Sequence, residues 1–125
     1  ISTPLFIGDY IYGVDSYGEL RCLDARTGER IWEDRTATPR ARWSNIHFVK
    51  HEEQVWMFNE RGELIISELS PQGFFEISRA HLIDPTLAQL GQRDGVCWSH
   101  PAFAQRHVFA RNDRELICVS LEKHN

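Results

Sequence analysis

A turn sequence recurs at a fixed interval in this chain, and that interval constrains the fold more than any other feature. Ile11-Tyr12-Gly13-Val14-Asp15-Ser16-Tyr17-Gly18-Glu19-Leu20 returns 44 residues later as Val55-Trp56-Met57-Phe58-Asn59-Glu60-Arg61-Gly62-Glu63-Leu64. A third copy, Val108-Phe109-Ala110-Arg111-Asn112-Asp113-Arg114-Glu115-Leu116, keeps the order but lacks the glycine, so its turn is one residue shorter. Upstream, Phe6, Phe48 and Phe103 align, with Pro4 and Pro101 two residues before the first and the last. Each copy is a β-branched and aromatic run bounded by Asp, Asn or Gly, the residues that tolerate the positive φ of tight turns, and so reads as a hairpin.

Strands are expected at about residues 4–8, 10–15, 19–25 and 29–35, then at 46–50, 54–59, 63–69 and 74–79, and finally at 101–105, 107–112 and 115–121. The units run from about 3–35, 45–79 and 99–121, the third lacking its fourth strand. Residues 80–97 form an inserted connection between the second and third units. Within it, Asp84-Pro85-Thr86-Leu87-Ala88-Gln89-Leu90-Gly91 reads as a short helix, with Asp as N-cap, Pro at the first helical position and Gly past the end. Four short antiparallel strands repeating every 40 to 50 residues are the mark of β-propeller blades, which bury their faces only by stacking on one another. The competing architecture is a β-sandwich, which does not ordinarily repeat its turn chemistry at a fixed spacing. The expected class is therefore all-β, with about three four-stranded blades, the last incomplete, and one short helix between blades.

Cys22-Leu23-Asp24-Ala25-Arg26-Thr27-Gly28-Glu29-Arg30-Ile31-Trp32 resembles the tryptophan-docking motif A-x-D-x-x-T-G-x-x-x-W of pyrroloquinoline-quinone-like (quinoprotein-like) propeller repeats. Asp24, Thr27, Gly28 and Trp32 match, and Cys22 stands where the motif has alanine. The resemblance implies that Asp24 and Thr27-Gly28 shape the turn between third and fourth strands and that Trp32 docks on a neighbouring blade. The physical chemistry agrees, since Thr-Gly suits a tight turn and an outer-strand Trp offers a large apolar area. The second unit keeps only Ser67, Leu69 and Gly73, with Phe in place of the terminal Trp, and the third stops before its turn. Cys118 aligns with Cys22 and Ile66, so both cysteines are expected as buried packing residues between blades.

Composition narrows the function classes. Among 125 residues, 42% are hydrophobic and 26% charged, as in an ordinary globular domain, and the formal charge of −4 with only a local Arg40/Arg42 pair argues against a nucleic-acid surface. The apolar runs are far shorter than the roughly 20 residues that span a bilayer, so no membrane insertion is expected. Cys22, Cys97 and Cys118 are odd in number and lack C-x-x-C spacing, which gives neither a complete disulfide framework nor a zinc site. His47 and His51 are four apart, but on a strand rising about 3.3 Å per residue they stand about 13 Å apart, too far to share a metal. No Ser/His/Asp order, phosphate-binding glycine loop or H-E-x-x-H occurs, and the acidic pairs Glu52-Glu53 and Glu33-Asp34 fall at turns or strand ends. No catalytic, cofactor-binding or metal-ligating residue is assigned.

Trp43-Ser44-Asn45 and Trp98-Ser99-His100 each precede an expected innermost strand. In the family that this chain resembles, the connection entering such a strand crosses one face of the ring, where ligands bind. Arg42, Trp43, Trp98 and His100 are accordingly the candidate binding surface, Trp and Arg being enriched at interface hot spots. The alternative is that these Trp residues only seal neighbouring blades. Three functions follow from the resemblance: a non-catalytic scaffold or protein-binding module, as in a family lipoprotein that assists outer-membrane protein assembly; a fragment of a quinone-dependent alcohol or sugar dehydrogenase; or a ligand- or carbohydrate-sensing propeller. The first is favoured because alcohol dehydrogenases of the family carry adjacent cysteines over the quinone, and this chain has none. Pyrroloquinoline quinone and calcium belong only to the second. The resemblance also implies a periplasmic or extracellular location. Three units span less than a ring, so the remaining blades of a longer protein, or self-association through exposed edges, are the expected partners alongside a protein ligand.

Overall fold

The computed structural model describes residues 2–86 and 95–122. Eleven strands form three antiparallel sheets. β1 (Leu5–Ile7), β2 (Tyr10–Val14), β3 (Leu20–Asp24) and β4 (Arg30–Asp34) pair in sequence order as the first sheet. β5 (Ile46–His51), β6 (Gln54–Asn59), β7 (Glu63–Ser70) and β8 (Gly73–His81) form the second. The third comprises β9 (Ala102–Ala104), β10 (His107–Arg111) and β11 (Leu116–Ser120). These are consecutive blades of a β-propeller, four-stranded twice and then three-stranded.

Asp and Asn recur at the turn between second and third strands of each blade (β2–β3, β6–β7 and β10–β11) because each carboxylate or amide oxygen closes that turn. Asp15 Oδ1 accepts from the backbone N–H of Tyr17 and Glu19, Asn59 Oδ1 from Arg61 and Glu63, and Asn112 Oδ1 from Arg114 and Glu115. The asparagines do more, since an amide also donates. Asn59 Nδ2 holds the carbonyl of Ala37 at 3.0 Å and Asn112 Nδ2 that of Asp84 at 2.8 Å, tying each turn to the connection arriving from the preceding blade.

Strand pairing gives the blades a common coordinate system. Tyr12 lies opposite Cys22 and Cys22 opposite Trp32; Trp56 opposite Ile66 and Ile66 opposite Ser78; Phe109 opposite Cys118. A register shift falls at Cys22/Leu23 in the first blade and at Ile66/Ser67 in the second, so the outer strand bends at the same place in both. The same coordinates revise two alignments. Phe6 and Phe103 lie opposite Ile11 and Val108, whereas Phe48 lies opposite Met57, two residues earlier on its strand. A slip of two residues keeps the same face, so alternation alone does not detect it. The place of Trp32 in the second blade belongs to Ser78 and not to a Phe.

Side chains alternate between two faces along each strand, and facing surfaces interlock between blades. Tyr12, Leu20, Cys22 and the half-buried Leu5, Ile7, Tyr10 and Trp32 of the first blade pack on Val55, Met57, Ile65, Leu69, Phe48 and Phe74 of the second. Phe58 of the second blade packs with Ile83, Cys97 and Ala110 towards the third. Fully burying side chains of this size contributes roughly 1.5–3 kcal/mol each, which is what stacks blades that cannot close a core alone.

The outward faces of the row are left bare: Phe6 is 63% exposed at one side and Leu116 72% at the other. Cys118 sits on that second face and is exposed, which corrects its expected burial. Its register position does match Cys22, but among the described residues no blade covers it. The expected helix is not seen at Asp84, Pro85 or Thr86, where Thr86 instead forms an isolated bridge to Val96. The rest of that expected segment, residues 87–91, lies outside the described residues. No helix among the described residues is long and apolar enough to cross a membrane.

Candidate functional site

The turns between second and third strands (β2–β3, β6–β7 and β10–β11) and the connections between blades gather at one end of the propeller; the turns joining first to second and third to fourth strands lie at the other. At the first end, the two connections meet at Glu60. Its side chain is buried among the turn residues and accepts from Ser44 Oγ at 3.3 Å, while its backbone carbonyl accepts from Cys97 N–H at 2.7 Å. Ser44 is also tied to its own loop, donating to the Ala41 carbonyl at 2.7 Å. One residue, through its buried carboxylate and its backbone carbonyl, therefore pins both chain segments that carry the candidate surface.

Those segments present their residues differently. Trp43 has φ 62°, a left-handed conformation uncommon for a bulky residue, and is 42% exposed. The Arg42 guanidinium lies 4.7 Å from its ring centroid, a cation–π arrangement. Trp98 turns the other way: it is half-buried and its carbonyl accepts from His47 Nε2 at 2.8 Å. That bond requires the Nε2–H tautomer of His47. The exposed His100 places its ring 4.8 Å from that of His47 and hydrogen-bonds through Nδ1 to the Pro101 carbonyl. Burial holds the His47 pKa below the ordinary histidine range, against the opposing pull of the Trp98 carbonyl and with help from His100.

His47, weighed in the sequence only as a metal ligand, and Asn45 and Glu60 were not among the candidate surface residues. Pairing of Ala102 with Phe109 and of Val49 with Trp56 makes His100 the equivalent of His47, two residues away from what the Trp-Ser-x repeat marks. A charged residue in a turn ordinarily reads as solvated, which hid Glu60.

At the opposite end, the docking segment is laid out residue by residue. Asp24 Oδ1 accepts from the N–H of Arg26 at 2.8 Å and of Thr27 at 3.2 Å, and Thr27 Oγ1 accepts from Glu29 N–H at 3.1 Å. Gly28, at φ 75°, closes the turn by donating its N–H to the Asp24 carbonyl at 2.8 Å. Trp32 crosses to the second blade, where Nε1 donates to the Ser70 carbonyl at 2.8 Å.

The chain is similar to BamB from Moraxella catarrhalis. The two structures agree with a TM-score of 0.57 at 18% identity, over 94% of this chain and 30% of the other. At that identity the likeness is one of fold, and the chain spans under a third of the BamB structure's length. No family model and no curated protein matches the chain.

Among the described residues, no three His, Cys, Asp or Glu side chains stand together to hold a metal, and the cysteines are dispersed over the first blade, the second connection and β11. The end face offers an exposed aromatic–cation pair and an exposed imidazole on two loops pinned at their base.

Proposed function

We propose that the chain is a non-catalytic section of a β-propeller of the quinoprotein-like repeat type, and that its connection-bearing end face binds a protein partner. The observation that carries this reading is the Arg42–Trp43 pair. An indole kept in the left-handed region with a guanidinium on its face is an expensive arrangement to leave in water, and Trp and Arg are the residues that dominate protein interfaces. His100 and Trp98 extend the surface from the neighbouring connection. The BamB likeness supports the propeller fold, and the docking segment Asp24 to Trp32 supports the repeat type. The open faces at Phe6 and Leu116 are completed by further blades or by a second copy of the chain. We assign no cofactor to these residues, and the repeat type favours a periplasmic or extracellular setting.

The test places a photo-cross-linking side chain at Arg40, beside the pair, and at Arg26, at the opposite end, in the native host. Discrete protein adducts at position 40 are expected, and Trp43→Ala should weaken the interaction by about 30-fold, the cost of a hot-spot residue. Equal adducts at both positions, or none at 40, would overturn the surface. Dye reduction by the chain supplied with the quinone, calcium and an alcohol would overturn its non-catalytic nature.

A further inference from the structure

Between the second and third blades, at the end away from that face, lies a cavity of about 340 Å³. Trp56 and Val49 line it from the second blade, Phe103 and Leu121 from the third, and His51 and Arg106 stand at its edge. Strand pairing explains its origin. At the first interface the corresponding register positions carry Ile7, Tyr10 and Trp32, all packed against the core, with the Trp32 ring 6.1 Å from that of Tyr12. At the next interface, the same register positions carry His51, Gln54 and Ser78. Each replacement removes apolar volume or adds polarity, and Trp32→Ser78 alone removes an entire indole. Trp56 and Phe103 remain, edge to face with centroids 5.6 Å apart, as walls without a filling.

The turn beside the cavity carries more strain than its counterparts, of which the second blade's has one non-glycine residue at positive φ, Glu52 at 55°. Gln105 and Arg106 both have positive φ, 50° and 63°, in a two-residue turn that glycine and asparagine normally occupy. The same turn in the first blade uses Gly8 at φ 58°. Retaining Gln-Arg holds a guanidinium beside an aromatic cavity, where its ion-pair partner is the exposed Glu122 at a loose 3.7 Å. Strain that a simple substitution would relieve is concentrated at functional positions.

We propose that this cavity binds a small planar aromatic carboxylate, its ring taking the place that Trp32 fills at the preceding interface and its carboxylate displacing Glu122 from Arg106. A volume of this size falls at the small end of ligand pockets, which suits one bicyclic ring and a short acidic arm. The site is separate from the protein-binding face and does not depend on it.

Indole-3-acetate is the probe, with neutral indole as comparison, and NMR of the full chain as readout. Saturable shifts are expected at the Trp56 indole N–H and at the amides of Gln105 to His107, with a Kd at or below about 1 mM. Indole should bind about three- to tenfold more weakly than the acid. The double change Gln105→Asn with Arg106→Gly should raise the urea midpoint, by relieving the turn, and bring the acid down to the affinity of indole. Ser78→Trp should refill the slot and abolish binding of both. Absence of saturable shifts up to about 5 mM overturns the proposal. So does equal affinity for indole and the acid in the unmodified chain, or unchanged binding in a folded Ser78→Trp chain. Should that variant fail to fold, the turn variant decides, because it is expected to fold more stably.

Discussion

Gly62→Ala, measured against Gly28→Ala, isolates what the connection between blades contributes. Both glycines are left-handed, at φ 77° and 75°, so alanine carries the same conformational cost at each, roughly 1–2 kcal/mol. Their surroundings differ completely. A Cβ at Gly28 meets nothing within 4 Å, whereas at Gly62 it would stand 1.8 Å from the Ile83 carbonyl oxygen. The carbonyl must retreat by more than 1 Å to restore even a tight contact. That retreat breaks the bonds donated by Leu82 and Ile83 N–H to the Gly62 carbonyl, at 2.9 and 3.4 Å, each contributing about 0.5–1.5 kcal/mol. It also withdraws Ile83 from its buried cluster with Phe58, Cys97 and Ala110, a loss of about 1.5–3 kcal/mol. Gly62→Ala should thus destabilise by about 3.5–8 kcal/mol and Gly28→Ala by about 1–2, in urea unfolding followed by circular dichroism. Gly18→Ala, whose Cβ would lie 2.8 Å from the Pro39 carbonyl, should fall between them. Equal losses at 62 and 28, within about 0.5 kcal/mol, would refute the close approach and with it the path of the connection over the turn.

Trp32→Phe keeps most of the apolar contact but leaves the Ser70 carbonyl without its donor, so a loss of about 1–2 kcal/mol in the same assay is expected. Under native conditions a thiol reagent should label Cys118 rapidly and leave Cys22 and Cys97 untouched until the chain unfolds. Both slow thiols are buried, and burial pushes the Cys97 pKa up to about 11; fast labelling of all three would contradict the packing of the first two interfaces. His47 should make stability fall as pH drops through the ordinary histidine range near ~6.5, because its folded pKa is depressed and the unfolded chain takes up the proton first. Its share of the slope is at most about 1.4 kcal/mol per pH unit, and it should vanish in His47→Gln, whose amide can still donate to the Trp98 carbonyl. Light scattering at about 100 μM should show association, since Phe6 and Leu116 mark two uncovered blade faces and β11 has β10 as its strand neighbour; a stable monomer would count against it.

The blade repeat was legible because its signals are local. Asp15, Asn59 and Asn112 each bond to backbone N–H groups within four residues, so their chemistry is fixed by the sequence immediately around them. The alternation of Tyr12, Cys22 and Trp32 onto one face was readable for the same reason, one strand at a time. Register between strands was not. Phe48 took the place of Lys50 in the sequence alignment because both point to the same side, and only the pairing of Phe48 with Met57 separates them. The close approach at two turn glycines was equally hidden, since Gly18 and Gly62 lie under the carbonyls of Pro39 and Ile83, far along the chain.

The same distinction decides which sites can be found from sequence. Arg42 and Trp43 are neighbours in the chain, so their juxtaposition was visible before any fold was known. Glu60 binds Ser44 and Cys97, 16 residues before it and 37 after, and only folding reveals it as the anchor of both connections. The cavity is harder still. It accompanies replacements on three strands, at His51, which lines it, and at Gln54 and Ser78, each of which looks ordinary on its own strand. It appears only when one interface is laid over the other and the larger residues of the first are found missing from the second. In a repeat protein, the preceding interface is a built-in reference for the next. Where the reference fills a space with an indole and the copy leaves it walled by aromatics, the difference locates a binding site that no motif would mark.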